Sequence, residues 1–363
     1  MKRNSTRSGA GGGQGAALAP FLLAGLLALS FAAYGQEMPE SVEYCLACHS
    51  DPDLTMPLDD GSELSLGVDS DQWMTSVHGD QLVCTDCHEG YEEDHPDGDS
   101  FASERTYELL SYELCKKCHF DTYTRTLESV HYGLLKEGVD LAPVCTDCHG
   151  AHEIADPHAK QAMMSRSCGD CHSDVYRVYA ESVHGRALVE DHIQEVPGCA
   201  DCHTAHSIVD PGTARFHLAS PEVCIRCHGD DELMAGFGIP TTVATTYMQD
   251  FHGVTASLAQ HEEIDERQLV VTCVDCHGVH DIAAPAALAP EVMKARVEQV
   301  CADCHQGAAQ DFPAAWLSHY PPSLDHAPLV FLIDWMYRLL IPFMVLGLGL
   351  QVLLHLYRFT FGR

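Results

Sequence analysis

Eighteen cysteines fall into nine Cys-x-x-Cys-His motifs, and no cysteine is left over. The paired cysteines are Cys45 and Cys48, Cys84 and Cys87, Cys115 and Cys118, Cys145 and Cys148, Cys168 and Cys171, Cys199 and Cys202, Cys224 and Cys227, Cys273 and Cys276, and Cys301 and Cys304. The histidines that follow are His49, His88, His119, His149, His172, His203, His228, His277 and His305. This is the attachment pattern of c-type haem. Two thiols three residues apart on a helical turn reach the two vinyl groups of one porphyrin edge. The next histidine takes the iron from below as proximal ligand. A dithiol pair or a zinc site does not need a histidine after the second cysteine, and here one follows every time.

The chain has 363 residues, enough for about two average domains. Nine covalent haems change that estimate, because the porphyrins themselves form the interior and about thirty residues wrap each one. The expected fold is mostly α and irregular, with little sheet. Asp60-Gly61 between short apolar runs in 54–67 predicts one small β-hairpin. The formal charge is -33, which argues against nucleic acid or an anionic membrane surface as partner; it suits basic redox partners or cationic metal species, or serves solubility alone.

The motifs alternate between two kinds. Even motifs start at Cys84, Cys145, Cys199 and Cys273, and three of them continue to a second histidine: His152, His206 and His280. The same three run on to Ile and then Pro: Ile154 and Pro157, Ile208 and Pro211, Ile282 and Pro285. The first even motif departs, and its next histidine is His95. Odd motifs are followed by a segment ending in Ser-Val-His-Gly or a close variant, giving His78, His131, His184, His252 and His319. Asp121–Val130 and Asp174–Val183 predict short helices stopped by Gly133 and Gly185.

A haem iron held by one histidine has one more axial position, and whether it is filled separates an electron carrier from a substrate-binding haem. His78, His95, His131, His152, His184, His206, His252, His280 and His319 supply nine distal ligands for nine irons. His95 has rivals in His158, His217 and His261. The other histidines outside the set are His192, His326 and His355. His152 lies three residues after His149, roughly 5 Å along the same side of a helix, so it cannot reach the far face of its own haem. It should serve a neighbour, as should His206 and His280. The methionines show no repeated offset from a motif, so none is expected as a ligand.

The ends of the chain are apolar. Residues 1–36 read as a secretory signal: Lys2, Arg3 and Arg7, then an apolar run, then small residues. Residues 37–320 form the haem domain, expected on the periplasmic side. Residues 321–363 hold a single transmembrane anchor and a short cytoplasmic tail. Arg338 to Leu356 would rise about 28 Å, the thickness of the hydrocarbon layer. Trp335, Tyr337 and Tyr357 flank it as interfacial aromatics, and Arg358 and Arg363 mark the cytoplasmic end. Asp334 and Arg338 are spaced to pair on one helix face.

With these residues in view, Ser-Val-His-Gly followed by Cys-Thr-Asp-Cys-His-Gly-Ala-His resembles the multihaem cytochromes c related to cytochrome c-554, octahaem tetrathionate reductase and hydroxylamine oxidoreductase. Residues 45–88 and the C-terminal anchor resemble membrane-bound multihaem cytochromes of anaerobically respiring bacteria. The doubled His-His element of the small tetrahaem cytochromes c3 is absent. The enzymes of the group keep one haem open, often through a variant motif, and this chain has none. The resemblance implies an electron carrier more than an enzyme. It would sit in the inner membrane and pass electrons from the quinol pool, or from a quinol-oxidising or cytochrome b-type membrane subunit, to other periplasmic cytochromes. The alternative is a reductase of a nitrogen or sulfur oxyanion with one open haem.

Overall fold

A computed structural model describes residues 38–91, 95, 100–156, 161–260, 270–284, 290–307, 319–325 and 327–362. The segment read as a secretory signal, and His158, His261 and His326, lie outside the described residues. The fold is mostly helical, as the scarcity of strand patterns requires. The hairpin is present: β1 (Thr55–Pro57) pairs antiparallel with β2 (Glu63–Ser65), with Met56 opposite Leu64. Gly61 turns the chain at φ +86°, a conformation that costs glycine little.

Odd and even motifs fold differently. Four odd motifs close longer helices: α1 (Glu40–His49), α8 (Gln161–Cys171), α12 (Ala214–His228) and α17 (Pro290–Cys304). The fifth, at Cys115, lies on a 3-10 turn (Tyr112–Lys117) that continues α4 (Glu104–Ser111). The even motifs are isolated single turns: α3 (Cys84–Cys87), α7 (Cys145–His149), α11 (Cys199–His203) and α16 (Cys273–His277). A lone turn does not hold itself, because nucleation fixes several residues for one hydrogen bond. Each even turn is closed by the aspartate between its cysteines. Asp86, Asp147, Asp201 and Asp275 accept the backbone N–H of Val83, Val144, Gly198 and Thr272 at 2.6 to 2.8 Å.

The expected helices after the odd motifs are present, but their ends differ from the sequence reading. α5 (Phe120–Thr126) and α9 (Ser173–Ala180) stop early, and new helices α6 (Val130–Lys136) and α10 (Val183–Val189) start at once. The break comes from Ser129 and Ser182, whose hydroxyls cap the new helices by accepting from His131 N–H and Gly185 N–H. Gly133 and Gly185 therefore sit inside helices rather than ending them. In the next unit Asp250 caps α15 (Phe251–Ala259) in the same way.

Conventional cores are small, and two of them lie beneath the His-bearing helices α10 and α15. Tyr179, Leu188 and Val196 form one, and Leu218, Tyr247, Ala256, Ala259 and Val270 another. Burying a leucine such as Leu188 contributes about 2 kcal/mol. Successive units are also stitched through the backbone. Val77 N–H donates to Ile154 O, Val130 to Ile208 and Val183 to Ile282, at 2.8 to 2.9 Å. The repeated Ile is the residue whose carbonyl ties each unit to the one before.

Beyond the haem-motif region, α18 (Pro328–Phe361) has 34 residues and a mean hydropathy of 2.2 in its most apolar window, which is not buried among the described residues. Length and composition suit a membrane span. Arg338 Nε donates to Asp334 Oδ2 at 2.8 Å, the pair expected from their spacing.

Candidate haem sites

All eighteen cysteines are free, and the motifs adjoin one another in chain order. Within a unit the first cysteines meet: Cys45 with Cys84, Cys115 with Cys145, Cys168 with Cys199 and Cys224 with Cys273 each share a thiol hydrogen bond. Burial, added to the facing Cys45 thiol, pushes Cys84 up to about 11. Between units the second cysteine of each even motif lies near the following odd motif. Cys87 is close enough to Cys115, Cys148 to Cys171, Cys202 to Cys224 and Cys276 to Cys301 for their charges to interact.

Among the described residues the histidines form nine pairs, each joining one motif histidine to one from outside the motifs. The pairs are His49 with His95, His88 with His152, His119 with His78, His149 with His206 and His172 with His131. The rest are His203 with His280, His228 with His184, His277 with His319 and His305 with His252. Ring centres are 5.9 to 6.4 Å apart in every pair. Two metal–imidazole bonds of about 2 Å, plus about 1.1 Å from nitrogen to ring centre at each end, require roughly 6 Å. The residues therefore fit one iron between each pair.

The pairing crosses units in both directions. A Ser-Val-His-type histidine faces the odd motif of the next unit, as His131 faces His172. A Cys-His-x-x-His histidine faces the even motif of the preceding unit, as His206 faces His149. The backbone forces this outcome. Gly150 and Gly278 take φ of +75° and +80° after the motif histidine and turn the chain away from its own turn. Thr204 holds the same place at φ +64° and ψ 171°, a region otherwise left to glycine. At the ends the rule is closed by His95 on His49 and His319 on His277.

Burial is the first cause lowering the pKa of His88, His152, His184, His203, His277 and His319. Held below the usual histidine value, these rings are neutral at pH 7, the form that binds a metal. Of the surplus histidines, His217 Nε2 lies 2.9 Å from Asp275 Oδ2 and 3.2 Å from Thr272 Oγ1, so it braces an even turn. Gln161 does the same for Asp201. Arg105 reaches Asp147 at 3.0 Å while bonding Glu108 and the carbonyls of Asp140 and Ala142. Phe216 stacks on His203, 5.3 Å between centres and 4° from parallel. These braces were not foreseen from sequence. The signal available was the aspartate found inside every even motif.

A family model described as cytochrome c3 matches residues 137–229, and one described as a doubled CXXCH motif matches residues 261–310. No curated protein and no solved structure matches the chain. Residues 137–229 are thus similar to a cytochrome c3-like multihaem domain and residues 261–310 to a paired haem-attachment motif, which supports covalent binding of haem c by these cysteine pairs. The cytochrome c3 match falls on a chain without that group's doubled histidines; it spans the motifs from Cys145 to His228 and their spacing.

Proposed function

We propose that this chain is a membrane-anchored electron carrier with nine haems, one on each cysteine pair, each iron clamped by one of the nine histidine pairs. The observation that carries the reading is that all eighteen histidines of those pairs stand at the separation one shared metal requires. Bound haem supplies a one-electron Fe(III)/Fe(II) couple, and two imidazoles keep the iron low-spin in both states, so transfer needs little rearrangement. The polypeptide supplies the order: cross-unit pairing and touching cysteines bring consecutive motifs together from Cys45 to Cys304.

The apolar helix Pro328–Phe361 supports a single-pass membrane anchor. In this reading the membrane is the inner one, residues 37–320 would lie in the periplasm and residues 1–36 would direct export. Electrons would enter near the anchor from the quinol pool, through a quinol-oxidising or cytochrome b-type subunit. They would leave to periplasmic or outer-membrane carriers in anaerobic respiration.

Carbon monoxide separates this reading from the oxyanion reductase. The reduced full-length protein is expected to bind far less than one carbon monoxide per chain. Binding of one per chain would show an open iron and favour the reductase.

A further inference from the structure

The nine histidine pairs differ in the angle between their rings. Six lie within 16° to 27°: His49/His95, His88/His152, His131/His172, His149/His206, His203/His280 and His277/His319. Three are tilted: His78/His119 at 44°, His184/His228 at 51° and His252/His305 at 58°. Nothing falls between the groups.

All three tilted pairs draw their distal histidine from a His-Gly dipeptide, with Gly79, Gly185 and Gly253. Each glycine is pressed against the carbonyl of the residue six positions earlier. An added Cβ would collide with the backbone oxygen of Trp73, Tyr179 or Tyr247 respectively. Those three aromatics are buried. The hydroxyls of Tyr179 and Tyr247 donate to Pro197 O and Val271 O, just ahead of the even motifs. Two histidines of this type remain, and a tyrosine follows each: His319 precedes Tyr320 and stands at 20° to the even-motif His277, while His131 precedes Tyr132, with Thr126 six residues before that tyrosine. The close backbone contact cannot form there, since Tyr132 carries a Cβ. Tyr132 instead shares a hydrogen bond with Tyr123, and the His131/His172 rings stand at 21°.

We infer that the aromatic–glycine pair is a positioning device: it presses the His-bearing turn against the preceding helix and so rotates the distal imidazole. It sorts the haems of this chain into two electronic classes. The inference rests on the bis-histidine reading above. In ferric low-spin iron, parallel imidazoles donate along one direction and split the two dπ orbitals, giving a rhombic spectrum of three separated g values. Rings at a large angle bring those orbitals together and give one signal at high g. Gly79, Gly185 and Gly253 would thus make the irons at His119, His228 and His305 different from the other six, and an electron on the array meets two kinds of site.

The test is electron paramagnetic resonance of the oxidised full-length holoprotein. Six rhombic and three high-g signals are expected. The double variant Thr126→Tyr/Tyr132→Gly, which gives the second unit the aromatic–glycine pair, should move the ratio to five and four with haem content unchanged. Gly185→Ala should move it to seven and two. A single class in the native protein, or a ratio that stays at six to three in a variant retaining all its haem, overturns the inference. High-spin iron or missing haem in the native protein would instead strike the bis-histidine reading itself.

Discussion

Odd and even motifs use the same five-residue pattern and reach the same shape by different means. The odd turn at Cys168 ends an eleven-residue helix whose own hydrogen bonds supply its geometry. The even turn at Cys199 is five residues long and stands alone. It depends on Asp201 closing its first turn, on Gln161 holding that aspartate, and on Arg226 donating to the Asp201 carbonyl. Both Gln161 and Arg226 belong to helices that carry odd motifs. An odd site is thus built locally, and an even site is completed by its neighbours. Long helices set the course of the array, and short turns lock consecutive units together.

The largest effect that would sharpen this contrast is the loss of a distal ligand, because the damage should appear in another unit. His206→Ala should create one high-spin iron per chain that binds carbon monoxide when reduced. That iron should be the one facing His149 and not the one on the His203 motif. Adding Cys145→Ala and Cys148→Ala to the same chain should abolish the new site. A carbon monoxide site that persists would show His206 serving a different iron.

A smaller effect compares two aspartates at the same place in their motifs. Asp201→Ala removes the closure of an isolated turn and should cost about 1 kcal/mol, read by denaturant unfolding of the holoprotein. Asp170→Ala lies within α8, where the helix needs no such closure, and should stay within about 0.5 kcal/mol. Equal losses would erase the distinction between the motif kinds.

The smallest concerns the residue after the even-motif histidine. Thr204 is held where Gly150 and Gly278 serve two other units, and a β-branched residue is strained there. Thr204→Gly should stabilise the protein by roughly 1 kcal/mol in the same unfolding measurement. A destabilised variant would mean that the threonine side chain makes an interaction worth more than the strain it imposes.

Much of this arrangement could be read from the residues. The motif spacing, the histidine count and the argument that His152 could not serve its own haem all anticipated cross-unit pairing, because covalent spacing and helix rise leave few alternatives. The sequence leaves His95 with rivals, and the geometry puts it against His49. What could not be read were contacts with no periodic signature. Arg105, Gln161 and His217 occupy related places facing Asp147, Asp201 and Asp275, but one is a cation, one an amide and one an imidazole. No residue-type pattern marks such a position. The helices do not end at Gly133 and Gly185 as the glycines suggest, because the hydroxyls of Ser129 and Ser182 decide where the helices restart. Glycine there serves close packing, a role that sequence alone does not separate from helix termination.

The account stands or falls on how many irons the chain holds and how each is held. Covalent haem content from the mass of the intact purified chain, set against the number of low-spin irons in the same sample, measures both at once. The account predicts nine haems and nine low-spin irons. Fewer than nine covalent haems, or a full complement with high-spin iron among them, would contradict it.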